Sequence, residues 1–148
     1  MTCWKVIGWK SKISHGRVTI QLGETENWRL FSEYHNVLPD TEKAQKVMNT
    51  LKRRFTSKDY YDLWMALTAE DTRKAQAVYR TVVWGLSGNA KGSILSHMTD
   101  DNVRLVVELS RRAGNEMHRM REFLRFAELE NGILYAVIGP KDNVLPMV

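Results

Sequence analysis

His118 stands among Arg111, Arg119, Arg121 and Arg125, within fifteen residues that also hold Glu116 and Glu122. Guanidinium groups stay charged and present a planar fork of donors that grips a carboxylate or phosphate in two places. Histidine exchanges a proton near neutral pH and can act as a general acid or base. The set therefore reads as an anion-binding surface, with His118 as the candidate catalytic group if there is a reaction. Arg111, Gly114 and His118 fall on one stripe of a helix, with Arg121 at its edge. The neighbouring cations favour a neutral imidazole. Gly114 costs ~1 kcal/mol relative to alanine inside a helix, so another backbone or a ligand is expected to pack against it. A histidine hydrogen-bonded at a helix–sheet seam would have the same spacing without any chemistry. His97, just before Thr99, Asp100 and Asp101, reads as a cap or a loop contact to the same ligand.

Other chemistries find no footing. His97, His118, Asp100 and Asp101 do not make a metal-ligand spacing such as H-E-x-x-H, and no metal or organic cofactor is assigned. Walker, G-x-G-x-x-G and G-x-S-x-G motifs are absent. The single cysteine, Cys3, precludes an internal disulfide and fits a reducing cytosol. Of the tryptophans, Trp64 and Trp84 lie on or beside helical core stripes, and only Trp28, next to Arg29, suits base stacking.

Twenty-two Lys+Arg against 17 Asp+Glu give a net charge of +5 and a pI near 9.4. A basic surface attracts polyanions such as DNA, although the same charge also serves simple solubility. No stretch approaches the ~20 apolar residues of a membrane span, and the N-terminus lacks a signal-peptide core. A cytoplasmic protein with no membrane contact is expected.

The elements that must position these groups belong to one α+β domain over residues 1–148, mostly helical, with a short N-terminal strand and a C-terminal antiparallel hairpin. Arg17 to Leu22 alternates polar and apolar residues and predicts the strand. Asp40 or Thr41 caps a first helix carrying Ala44, Val47, Met48, Leu51 and Phe55. Ser57 caps a second with Tyr60, Tyr61, Trp64, Met65 and Leu67. Asp71 caps a third with Ala75, Val78, Tyr79, Val82, Val83 and Leu86. Ser87 to His97 reads as a loop. A long fourth helix starts at Thr99 or Asp100, with Val103, Val106, Val107, Ser110, Ala113, Met117 and Met120 inward. Arg104, Glu108, Arg112, Asn115 and Arg119 face outward.

After Phe123 the apolar period changes from 3.6 to 2 around Asn131-Gly132, a hairpin dipeptide. A two-residue turn there sets Leu129 opposite Leu134, Ala127 opposite Ala136, Arg125 opposite Ile138 and Phe123 opposite Pro140. The other face pairs Glu130 with Ile133, Glu128 with Tyr135 and Phe126 with Val137. Arg125 then falls on an apolar face, where its charge needs a carboxylate or an anionic ligand.

Phe123-Leu124-Arg125-Phe126, Glu128-Leu129-Glu130-Asn131-Gly132 and Gly139-Pro140-Lys141-Asp142-Asn143-Val144-Leu145-Pro146 carry a resemblance. The chain resembles, from about Trp9 to Met147, a bacterial family called domain of unknown function 4130, whose members are described as DNA metabolism proteins. The resemblance implies a role in DNA repair or modification beside a radical-SAM protein or a uracil-DNA glycosylase. Relative to that family the chain looks trimmed at both ends, which would leave the hairpin's apolar face open to self-association. Three readings follow. The first is a nucleic-acid-associated accessory protein using Arg111, His118, Arg119, Arg121, Arg125 and His97. The second is a DNA-processing enzyme built on His118 and Arg125. The third is a scaffold for a radical-SAM partner.

Overall fold

The computed structural model describes residues 18–20, 35, 37–88 and 92–144. Four helices run in order: α1 (Thr41–Arg54), α2 (Ser57–Thr68), α3 (Lys74–Leu86) and α4 (Asp101–Phe123). A 3-10 turn, Ile94–Ser96, precedes α4, and two short strands follow it, β1 (Ala127–Glu128) and β2 (Leu134–Tyr135).

Short polar side chains start these helices by accepting backbone N–H groups that the first turn leaves unpaired. Asp40 accepts from the N–H of Lys43 at 3.0 Å, and Asp100 accepts from Asn102 and Val103 at 2.8 and 3.2 Å. The cap of α2 is Thr56, one residue before the predicted Ser57; its hydroxyl accepts from the N–H of Asp59 at 3.1 Å. Asp71 does not cap α3 directly. It accepts from the N–H of Arg73 at 2.8 Å in a turn, and the helix begins at Lys74.

α4 packs against α2 and α3, and the 3-10 turn closes one end of this core. Met65, Val78, Ile94, Val103, Val106, Leu109 and Val144 are almost wholly buried. Each is a side chain whose burial contributes about 1.5–3 kcal/mol. The expected stripes need correction at four positions. Leu63 and Leu109 are core residues, whereas Tyr61 and Leu86 are exposed. The predicted loop Ser87 to His97 contains the 3-10 turn, whose Ile94 and Leu95 plug the core. Buried Asp59 holds that turn, accepting from the Ser93 hydroxyl and, at 3.3 Å, from the N–H of Ile94.

Arg17, Gln21 and Leu22 of the predicted N-terminal strand lie outside the described residues, as do Cys3, Trp28 and Arg29. Residues 18–20 show no strand pairing and run along α3 instead. The N–H of Ile20 donates to Gln76 at 2.6 Å, and Arg80 donates to the Val18 carbonyl at 2.9 Å.

Candidate nucleic-acid interface

The second half of α4 carries most of the candidate residues. At 100° per residue, Arg111, Asn115, His118 and Glu122 form one stripe, with Arg119 and Arg121 about 80° to either side. The cations thus spread around the end of a helix and do not converge on a cleft. Arg111 and Arg119 are exposed and make no hydrogen bond or ion pair among the described residues, and Arg121 is exposed on the last turn. His118 Nε2 lies 3.1 Å from Glu122 Oε1, so its nearest charged partner is a carboxylate. The imidazole is 69% exposed.

His97 is not part of this group. It stacks on Trp84, with ring centroids 4.9 Å apart and planes 23° from parallel, at the opposite end of α4. The twenty residue steps from Asp101 to Arg121 separate the two ends by roughly 30 Å at 1.5 Å per residue. Gly114 also departs from expectation, because a Cβ added there would meet nothing within 4 Å. The helix glycine in close contact is Gly85, whose added Cβ would lie 2.8 Å from Ile94 Cγ2.

Beyond α4 the hairpin forms, with a register one residue away from the expected one. Ala127 pairs with Tyr135 and Glu128 with Leu134. Gly132, at φ 79°, donates to the Leu129 carbonyl at 2.8 Å, and the N–H of Leu129 donates to Ile133 at 2.9 Å. The loop is therefore the three residues Glu130 to Gly132, a tight turn followed by a left-handed glycine, and not a two-residue turn. A one-residue slip exchanges the faces. The inferred pairs of Arg125 with Ile138 and Leu129 with Leu134 do not exist. Nor is Arg125 buried; it is exposed and unpaired among the described residues. The ladder is two residues long, and large apolar side chains flank it in the open, from Phe123 at 70% exposure to Val137 at 91%.

Sequence reasoning missed the junction that fixes the hairpin's second leg. Asp142, 1% exposed, accepts from the N–H of Glu70 at 2.7 Å and from Arg112 Nε and Nη2, each at 3.3 Å. Arg112, expected to face outward, also donates to the Glu70 carbonyl at 2.9 Å. Burial alone would push the Asp142 carboxyl up, but the Glu70 N–H and the Arg112 guanidinium outweigh it and hold the group below its ordinary value. Glu116 accepts from the N–H groups of Lys141 and, at 2.9 Å, Asp142. These residues form a clamp between α4 and the segment after the hairpin. Arg112 and Glu116 on α4 pair with a segment 26 to 30 residues later, and no local pattern in the sequence announces that contact.

A second basic surface lies on α1. Lys46, Asn49, Thr50, Lys52 and Arg53 line a shallow open depression, and Lys52 Nζ sits 5.2 Å above the Tyr60 ring. Arg53 and Arg54 are exposed and unpaired among the described residues. No described helix is long and apolar enough to cross a membrane, and no group of three or more His, Cys, Asp or Glu suited to a metal occurs among the described residues.

No curated protein matches the chain, and no solved structure does. A family model does match, that of Domain of unknown function (DUF4130), over residues 72–148. That span runs from the turn before α3 through α4, the hairpin and the Asp142 clamp. It covers just over half of the chain, and the protein belongs to the DUF4130 family.

Proposed function

We propose that this protein is a nucleic-acid-associated accessory factor of DNA metabolism, contacting phosphates through the exposed arginines at the end of α4. The observation that supports this reading is the pair Arg111 and Arg119, exposed and without a carboxylate partner among the described residues. Guanidiniums left in this state retain all their donors for phosphate oxygens. Arg125 extends the same charge onto the hairpin, and Arg53 and Arg54 add a second basic surface on α1. The divergent placement suits backbone contact along an extended polyanion better than chemistry on one atom. It gives no support to catalysis by His118 with an Arg125 clamp.

A salt titration of binding to a short DNA duplex, followed by fluorescence anisotropy, tests the proposal. Affinity should fall steeply with salt, and Arg111→Ala with Arg119→Ala should flatten the log–log slope by about 2 × 0.9. Absence of binding at low salt would overturn the reading. The open apolar hairpin would then favour the protein-docking scaffold, including a radical-SAM or uracil-DNA glycosylase partner.

A further inference from the structure

We infer that this protein holds two nucleic-acid duplexes at once, one at each end of α4. The inference rests on the phosphate-contact reading and adds to it a second footprint and a bridging role. The last turn of α1 carries Lys52, Arg53 and Arg54, all exposed. Arg53 and Arg54 make no hydrogen bond or ion pair among the described residues. Lys52 Nζ is held 5.2 Å from the Tyr60 ring centroid, which places the ammonium without a carboxylate to neutralise it. The depression beside these groups is lined by Lys46, Asn49, Thr50, Lys52 and Arg53, with no acidic side chain. Only Lys46 is engaged by a carboxylate, that of Glu42 at 2.6 Å. So open a surface does not enclose a small molecule, and it suits one side of a polyanion.

Packing fixes where this footprint lies. Phe55, which follows Arg54, and Ile94 of the 3-10 turn approach Gly85 together, 3.0 and 2.8 Å from a Cβ built there. Asp59, in the first turn of α2, holds the same 3-10 turn through Ser93 and Ile94. The end of α1 therefore stands where α4 begins. Further along, Ser110 donates to Asp62 at 2.9 Å and Arg112 to the Glu70 carbonyl at 2.9 Å, so α2 and α4 run side by side in the same direction. Arg119 lies about 27 Å along α4 from Asp101, at 1.5 Å per residue. Between the two ends the charge is interrupted: Arg104 is paired with Asp101 at 2.6 Å, and Glu108 is exposed. A duplex laid along α4 would press its phosphates against Glu108, an unfavourable contact. Two separated footprints, each with free donors, suit two segments of nucleic acid better than one.

Stoichiometry and co-capture at low salt test this. Titration of the protein with a short duplex should saturate at about two duplexes per chain. Beads carrying one duplex should retain a second, fluorescent duplex only when the protein is present. Arg53→Ala with Arg54→Ala should bring capture to background while a single duplex still binds. Arg111→Ala with Arg119→Ala should do the same from the other end, and circular dichroism verifies that the helices of both variants are intact. Saturation at one duplex per chain without capture overturns the inference and leaves the phosphate-contact reading standing. Capture that persists in the Arg53 and Arg54 variant overturns it too, because self-association would then be joining the duplexes. Failure to bind any duplex at low salt removes the reading itself, and the inference with it. The wild-type stoichiometry decides the matter even if a variant does not fold.

Discussion

A Cβ on Gly85 would meet Ile94 Cγ2 at 2.8 Å and the Phe55 ring at 3.0 and 3.1 Å, whereas one on Gly114 would meet nothing within 4 Å. Both glycines lie inside helices, so both substitutions gain about 1 kcal/mol of helix propensity on becoming alanine. At Gly85 the neighbour is a buried isoleucine that anchors the 3-10 turn to Asp59 and has little room to move. Overpacking of this kind costs about 1–3 kcal/mol. Gly85→Ala should therefore lower the denaturant midpoint, and Gly114→Ala should raise it by the equivalent of about 0.5–1 kcal/mol. Equilibrium urea unfolding of the two variants reads both signs. Equal shifts would show that the contact at Gly85 relaxes freely. A sequence shows which glycines interrupt a helical pattern, but the reason for each depends on what another element brings near. For Gly85 that neighbour comes from a turn nine residues later.

The hairpin and the helix starts show how differently elements can be read in advance. Asp40 and Asp100 precede periodic apolar runs and bond within three residues, so their caps follow from local chemistry. Asn131-Gly132 likewise announces a turn. Yet the dipeptide suits both a two-residue loop and a three-residue loop that needs only Gly132 in the left-handed region. The second occurs, and the two pairs of the ladder sit one residue away from those inferred from the first. The turn depends on Gly132 at φ 79°, where a side chain is strained by about 1–2 kcal/mol. Gly132→Ala should open the hairpin locally without unfolding the helices, since β1 and β2 bury no side chain against the core. Hydrogen exchange in dilute protein should show the Leu129 and Gly132 amides exchanging far faster than those of α4, and faster still in the variant. The helix melting curve should be unchanged. Joint loss of hairpin and helix signals would show that the hairpin belongs to the cooperative core.

At the scale of the whole molecule, acidic groups hold the chain both across long separations and within single turns. Asp142 joins the segment after the hairpin to Arg112 of α4 and to the backbone at Glu70, Asp71 pairs with Arg73, and Asp100 caps α4. The overall helical core was legible, because apolar spacing alone sorts most of it. The Arg112–Asp142 junction was not, because an arginine on a polar helix face and an aspartate in a polar tail look solvated until the fold brings them together. The Arg73 side chain holds the Asp71 carboxyl below its ordinary value of 3.8. Asp100 and Asp142 are also lowered; burial opposes the shift in each, and hydrogen-bond donors prevail, from Val103 and Asn102 for Asp100 and from Glu70 and Arg112 for Asp142. A carboxyl lowered on folding binds fewer protons in the native state than in the unfolded chain. Its contribution is complete above the unfolded value near 3.8 and disappears as pH falls through the lower native value. The protein should thus keep its stability from neutrality down to about pH 5 and lose it steeply below about pH 4. Asp142→Asn should cost about 1–3 kcal/mol at pH 7, where it removes a charged acceptor from the Glu70 N–H and Arg112. The gap between wild type and variant should then narrow as pH falls below 3.8 through the lowered native value of the carboxyl. Denaturant unfolding at pH 7 and pH 2–3 measures the difference directly. A gap of the same size at both pH values would mean that packing of the tail, and not the charge on Asp142, holds the clamp closed.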